Sequence, residues 1–331
     1  MTEEASALER FCAAAARVGA QVIREEPLAR HTTFRIGGPA ELYVEVGERE
    51  QLAQLTELAA QCRVPYKVLG GGSNVLVSDA GIRGLVVVNQ TRTIRTIVEG
   101  PVPAGELPQV VADAGVPLAG LARWAIRAGW SGLEWAVSVP GTVGGAVIGN
   151  AGAHGGEISA SLAWALISYP HQGQRVLTAS ELAFSYRSSC LKAQVAEGPA
   201  PPVVLAAGFH LRPGDVREMT ARAEAFLAQR RTTQPVEPSA GSVFRNPPGD
   251  YAGRLLEAAG LKGARCGAAQ VSSRHANFIV NLGHARAADV VALIDLMRAR
   301  VYDQFGIELV PEIVFLGEWP QWPPYQPVRQ S

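Results

Sequence analysis

Between Gly141 and Gly156 the chain places seven glycines in sixteen residues, G-T-V-G-G-A-V-I-G-N-A-G-A-H-G-G. Such a run reads as a loop. Each glycine gives up conformational entropy on folding and brings no side chain to a core. What it offers instead is unshielded backbone, whose N–H groups another backbone or a ligand can approach closely. Pro140 precedes the run, and Asn150 within it carries an amide able to bond ligand or backbone. A shorter run, Gly70-Gly71-Gly72-Ser73-Asn74, follows an apolar strand and leads straight into Val75-Leu76-Val77. It is no Walker loop, because no Gly-Lys-Ser/Thr follows. It is no Rossmann fingerprint either, because the glycine spacing and the following helix are absent. An ordinary turn would account for the shorter run and tight backbone packing for the longer one. Together they point to a nucleotide cofactor.

The rest of the composition narrows the class. At ~150 residues per domain, 331 residues correspond to about two domains, or three. With 47% hydrophobic residues the chain can fill a core. Thirty basic side chains balance thirty acidic ones, which argues against a nucleic-acid-coating or peripheral membrane protein. No apolar run approaches the ~18 residues of a membrane span, and the acidic start Met-Thr-Glu-Glu lacks the pattern of a secretory signal. Cys12, Cys62, Cys190 and Cys266 are widely separated, and neither they nor the six histidines fall at metal-ligand spacing. A metal-free, cytoplasmic globular protein with reduced thiols is expected, acting as a monomer without nucleic-acid partners or membrane insertion.

Periodicity predicts helices over Leu8–Val18, Glu50–Cys62, Leu107–Ala114, Leu118–Ala128, Asp215–Arg231 and Ala288–Phe305. Extended segments are predicted at Glu41–Val46, Val64–Leu69, Gly84–Val88, Leu162–Ser168 and Val203–Leu211. Gly198–Pro202 reads as a loop, and the Pro- and Trp-rich tail from Trp319 continues neither a helix nor a central strand. Mixed α/β units are expected, with breaks near residues 88 and 213.

Eight segments in order resemble the UDP-N-acetylenolpyruvoylglucosamine reductase family of flavoenzymes over roughly residues 30 to 317. They are Thr32–Gly38, Gly70–Leu76, Gly132–Ala153, Phe184–Ser189, Ala240–Pro247, Ala259–Gly263, His275–Asn281 and Leu309–Ile313. The resemblance implies an α/β (α+β) fold: a two-subdomain FAD-binding region of the vanillyl-alcohol-oxidase/CO-dehydrogenase type, followed by a C-terminal α/β substrate-binding domain. On this chain the subdomains would be 1–88 and 89–213, the substrate domain 214–318 and the tail 319–331. Leu211-Arg212-Pro213-Gly214 runs directly into the next helix, so the chain resembles the short type of the family, which lacks a substrate-covering tyrosine loop.

The family's reaction then implies FAD, NADPH as hydride donor and UDP-N-acetylglucosamine enolpyruvate as substrate. Hydride would pass from NADPH to the flavin, then from flavin N5 to C3 of the enolpyruvyl group, with a proton arriving at C2 to give UDP-N-acetylmuramate. Residues matching family positions would be Arg187 facing the substrate carboxylate, Ser242 donating the proton, and Glu312 as either a protonated carboxyl or an orienting group. Cofactor contacts would come from Gly70, Gly71, Gly72, Ser73 and Asn74 in the first run. The second would contribute Pro140, Gly141, Thr142, Gly144, Gly145, Asn150, Ala151 and Gly152. Asn246, Lys262 and Gln270 would meet substrate. At Arg286-Ala287 the family's usual threonine helix cap is missing, a loss of about 1 kcal/mol if nothing replaces it. Two alternatives would share parts of this sequence: another FAD-dependent oxidase or dehydrogenase on the same scaffold, or a sugar-nucleotide-binding module without flavin.

Overall fold

A computed structural model describes residues 3–97, 109–196 and 198–325. The chain divides into two compact units. One comprises Met1–Arg24, Leu42–Gly71 and Gly84–Gln229; the other comprises Glu25–Glu41, Gly72–Arg83 and Arg230–Ser331.

The first unit contains a five-stranded antiparallel sheet, ordered Gly173–Thr178, Leu162–Tyr169, Val203–His210, Gln109–Asp113, Ile94–Ile97. Every residue of Val203–Phe209 is buried, so this central strand is apolar throughout rather than alternating. The same circumstance explains one difference from the sequence reading. The helix expected over Leu107–Ala114 is instead the strand Gln109–Asp113, while Leu107 and Pro108 lie outside the described residues. Val110, Val111 and Ala112 are all buried. Consecutive apolar residues in a strand covered on both faces are indistinguishable, by period alone, from a buried helical turn. The neighbouring helix Leu118–Arg127 does form, burying Leu118, Leu121, Ala122, Ala125 and Ile126 along one face.

A second core in this unit lies between the helices Glu3–Arg17 and Arg49–Gln61 and the strands around them, with Phe11, Val44, Leu52, Leu55, Tyr66 and Leu85 buried. Tyr66–Leu69 and Ile82–Asn89 pair in parallel, Tyr66 opposite Leu85. The first glycine run begins where Tyr66–Leu69 ends.

The glycine-rich run 141–156, read as a loop, contains a helix over Val143–Gly149 and a small hairpin pairing Gly152–Ala153 with Gly156–Glu157. Intrinsic propensity disfavours this helix; tertiary contacts make it. Val143 N–H donates to Val116 O and Gly144 N–H to Ala114 O, both at 2.9 Å. A Cβ on Gly144 would lie 3.0 Å from that of Ala114.

In the second unit, Arg265–Cys266, Ala269–Val271 and Ile279–Asn281 form a three-stranded antiparallel sheet. Helices Ala252–Ala258 and Ala287–Phe305 share its core, and Phe34 and Ile36 reach into it. Val75–Val77 and Val314–Leu316 pair in parallel. The expected capping deficit at Arg286 is met from elsewhere in the chain. Asp79 Oδ1 accepts from Ala287 N–H at 2.8 Å and Oδ2 from Ala288 N–H at 3.1 Å, while Asp289 accepts from Arg286 N–H at 2.9 Å. A carboxylate taking two N–H groups at a helix start serves as the missing cap. No helix among the described residues is long and apolar enough to cross a membrane, and no group of three or more His, Cys, Asp or Glu among them is arranged to hold a metal ion.

Candidate functional site

In the first unit the two glycine runs meet. A Cβ on Gly71 would stand 3.3 Å from Gly141 Cα, and one on Gly70 would lie 2.1 Å from Thr142 Oγ1. Backbone therefore lies on backbone, which is the packing role the sequence left open. The same helix also presents an uncovered face: Gly145 is exposed, and around Gly149 there is nothing within 4 Å of an added Cβ. A side-chain-free ledge beside the Gly70–Gly141 junction can take a nucleotide's pyrophosphate without steric conflict, so these residues fit a dinucleotide. Pro140 is exposed beside this ledge, and Thr142 is buried as the residue preceding the helix.

Asn150 closes that helix in a left-handed conformation, φ 42°, and is 1% exposed. Its Nδ2 donates to Ser185 O at 3.0 Å and its Oδ1 accepts from Ser159 N–H at 3.1 Å. The amide is thus committed inside the protein, anchoring the tight turn in which Ser185 and Ser188 exchange two backbone bonds, at 3.0 and 3.1 Å. Ser189 Oγ donates to Ile148 O at 2.8 Å. Arg187 sits within this turn at φ 55°, and Lys192 Nζ holds its carbonyl at 2.7 Å. A non-glycine residue in that conformation carries strain, maintained by the surrounding bonds. Ala151 N–H bonds back to Ala146 O, and Gly152 leaves room for the guanidinium, since a Cβ there would meet Arg187 Nη1 at 3.2 Å. The glycine-rich segment and Arg187, thirty-odd residues apart in sequence, are one construction.

The second unit assembles the other candidates. Gly72 turns at φ 57°, where an added Cβ would lie 2.2 Å from His31 O. Ser73 is half-buried. Asn74 reaches a catalytic candidate directly: its Nδ2 donates to Glu312 O at 3.1 Å, and Val314 N–H donates to Asn74 O at 2.9 Å. Glu312 N–H donates to Val243 O at 2.8 Å, so the backbone of Glu312 faces that of Val243, the residue after Ser242. Ser242 itself bridges to Phe278, and Phe244 to Pro311. The sequence gives no hint that residues 74, 243 and 312 are bonded to one another.

Among the expected substrate residues, Asn246 Oδ1 accepts from Ala252 N–H at 3.1 Å, securing the start of helix Ala252–Ala258. Lys262 Nζ pairs with Glu257 at 2.6 Å, and Gln270 Nε2 donates to Gly263 O at 3.1 Å, which places Gln270 beside the Lys262–Gly263 turn. His275 belongs to the same neighbourhood. Burial first, and the Lys262 charge second, push its pKa below the ordinary value, so the ring is neutral near pH 7. Arg245 was not singled out in the sequence; its Nε is buried without a hydrogen-bond partner among the described residues.

Comparison with known proteins places these features. Residues 40–169, which hold both glycine runs, match the model of a FAD binding domain, and residues 233–316 match that of the UDP-N-acetylenolpyruvoylglucosamine reductase C-terminal domain. The fold is that of a flavoprotein of mixed α/β architecture. A Symbiobacterium thermophilum protein named UDP-N-acetylenolpyruvoylglucosamine reductase 2 is 45% identical over 305 residues, covering 92% of this chain and 95% of the relative. The reductase of Chloroflexus aurantiacus is 44% identical over 289 residues, covering 87% and 95%. The crystal structure of the Thermus caldophilus reductase (MurB) superimposes with a TM-score of 0.73 at 35% identity, covering 90% of this chain and 98% of that one. The chain belongs to the UDP-N-acetylenolpyruvoylglucosamine reductase family.

Proposed function

We propose that this chain catalyses the FAD-dependent reduction of UDP-N-acetylglucosamine enolpyruvate to UDP-N-acetylmuramate by NADPH, a step in making peptidoglycan precursors. Family membership along nearly the whole chain supports the reaction. The observation that supports the assignment of residues is the backbone bond from Glu312 to Val243, which brings the Glu312 segment to the residue after Ser242. Residues 1–88 and 89–213 serve as the flavin-binding subdomains and 214–318 as the substrate domain. The four cysteines are free thiols, which suits a reducing cytoplasm.

The flavin, when bound, supplies a two-electron carrier between NADPH and C3 of the enolpyruvyl group. The chain's own residues do the rest. Gly70–Asn74 and Pro140–Gly152 provide the backbone surface for the dinucleotide. Arg187 presents a rigid fork of donors to the substrate carboxylate and remains charged throughout. As that carboxylate gains enolate character the attraction strengthens, which favours the transition state over the ground state. Ser242 delivers a proton to C2; its hydroxyl is a weak acid, and placement compensates for acidity. Glu312 acts as a protonated carboxyl beside the anionic intermediate or as an orienting group. Asn246, Lys262 and Gln270 hold the UDP-sugar.

An anaerobic half-reaction tests this reading. NADPH should bleach the flavin absorbance, and adding the enolpyruvyl UDP-sugar should restore it. Ser242→Ala should bleach normally and recover about 10²-fold or more slowly. Equal slowing of both halves would remove the proton-donor role. A flavin that bleaches and never recovers with this substrate would point to another FAD-dependent dehydrogenase.

A further inference from the structure

Glu312 lies in the segment that leaves helix Ala287–Phe305 after Gly306 closes it in a left-handed conformation, φ 68°. After Glu312 the chain is held by the Asn74 bond to its carbonyl and by the Val314–Leu316 ladder; before it, the pairings Ser242 with Phe278 and Phe244 with Pro311 are single bridges. A slip of one residue in such pairing would turn the Glu312 side chain to the opposite face. On the helix side of Glu312, something beyond those bridges has to pin the register.

Arg298 is placed to do so. It is 4% exposed, and its Nε donates to Leu309 O at 3.0 Å while Nη2 donates to Glu308 Oε1 at 2.7 Å. From there Val310 O accepts from Arg245 N–H at 3.0 Å, and two residues on Glu312 N–H donates to Val243 O at 2.8 Å. The Arg298 guanidinium is in turn covered by the Tyr325 ring, 4.7 Å from Cζ to the centroid. Tyr325 and Trp319 both pack on Phe315, at 5.5 and 5.8 Å. The Pro- and Trp-rich tail, unexplained by the resemblance, therefore folds back on the segment that carries Glu312; residues 326–331 lie outside the described region.

We propose that Trp319–Tyr325 is a clasp, in which Tyr325 covers Arg298 and Arg298 fixes the register of the Glu312 segment. Both are positioning residues for that carboxyl. The inference rests on the reading of Glu312 given above. An aromatic face over a guanidinium attracts the cation and keeps water from competing for its donors, which strengthens the bonds to Leu309 and Glu308.

The test uses the full-length, flavin-loaded protein. Tyr325→Leu keeps apolar cover and loses the ring; it should slow substrate-dependent flavin reoxidation about tenfold, with KM and NADPH-driven bleaching unchanged. Tyr325→Phe, which keeps the ring, should restore the wild-type rate. Arg298→Lys, keeping charge without the fork, should be at least as slow as Tyr325→Leu. A Tyr325→Leu protein that melts earlier but reoxidises at the wild-type rate would overturn the clasp and leave a stability role only. So would a Tyr325→Phe protein as slow as Tyr325→Leu. Glu312→Gln, run alongside, separates the two claims: if it reoxidises at full speed, the role of Glu312 and the clasp both fall. If it is slow while Tyr325→Leu is fast, only the clasp falls.

Discussion

Arg187, proposed to face the substrate carboxylate, owes its placement to residues elsewhere in the chain. Its left-handed backbone, the Ser185–Ser188 turn and the Asn150 amide beneath fix where the guanidinium starts. Replacing it with lysine keeps the charge and discards the fork. Arg187→Lys should slow substrate-dependent reoxidation about 10²-fold while NADPH bleaching stays near normal; stopped-flow absorbance would read both, and an unchanged recovery rate would take Arg187 out of the reaction. Arg187, Ser242 and Glu312 were proposed because each sits in a recognisable run of residues. The partners that orient them were not. Asn150 stands in a glycine run and looks like a ligand group, whereas its amide is spent on Ser185 and Ser159. Nothing in local sequence tells a buried amide from an exposed one.

Helix starts and strand connections carry their own tests. Asp79→Ala removes both acceptors from the start of helix Ala287–Phe305, and should cost about 1 kcal/mol, read as a lower denaturant midpoint with the slope unchanged. Glu134 links the Ser131–Gly132 segment to helix Val216–Thr233. Burial alone would push its carboxyl up, but the bonds from Ser131 Oγ, Gly132 N–H and Arg222 outweigh that and hold it below the ordinary 4.5. A carboxyl depressed in the folded state stabilises above its unfolded value, and that contribution is lost as pH falls through the lower, folded value. Wild-type stability should therefore drop on acidification below about pH 4.5, and Glu134→Gln should flatten that part of a pH–melting curve. Helices with one clean apolar face, such as Leu118–Arg127, were readable from period. Gln109–Asp113 was not, because a strand buried on both faces has no alternation to show. Val143–Gly149 was not either, because its helicity comes from Val116 and Ala114 rather than from its own residues.

Across the whole molecule, a cofactor held by backbone from the two glycine runs should act as a folding ligand. Stripping the flavin should lower the melting temperature, and re-adding it at a hundredfold excess over Kd should return about 2.7 kcal/mol; identical melting with and without flavin would mean the ledge does not bind it. The division into units adds a consequence for how the protein is made. Val75–Val77 finds its parallel partner only at Val314–Leu316, and Asp79 caps a helix that begins at Ala287. On a ribosome adding ~5–20 residues per second, the early segments wait roughly 10–50 s for those partners to be synthesised. During that interval Leu76 and Val77, fully buried in the finished fold, have no core to enter, so nascent chains should depend on holding chaperones more than the finished protein does. A chain truncated before Val314 would leave Val75–Val77 without its parallel partner, even though the buried core of the second unit had already been made.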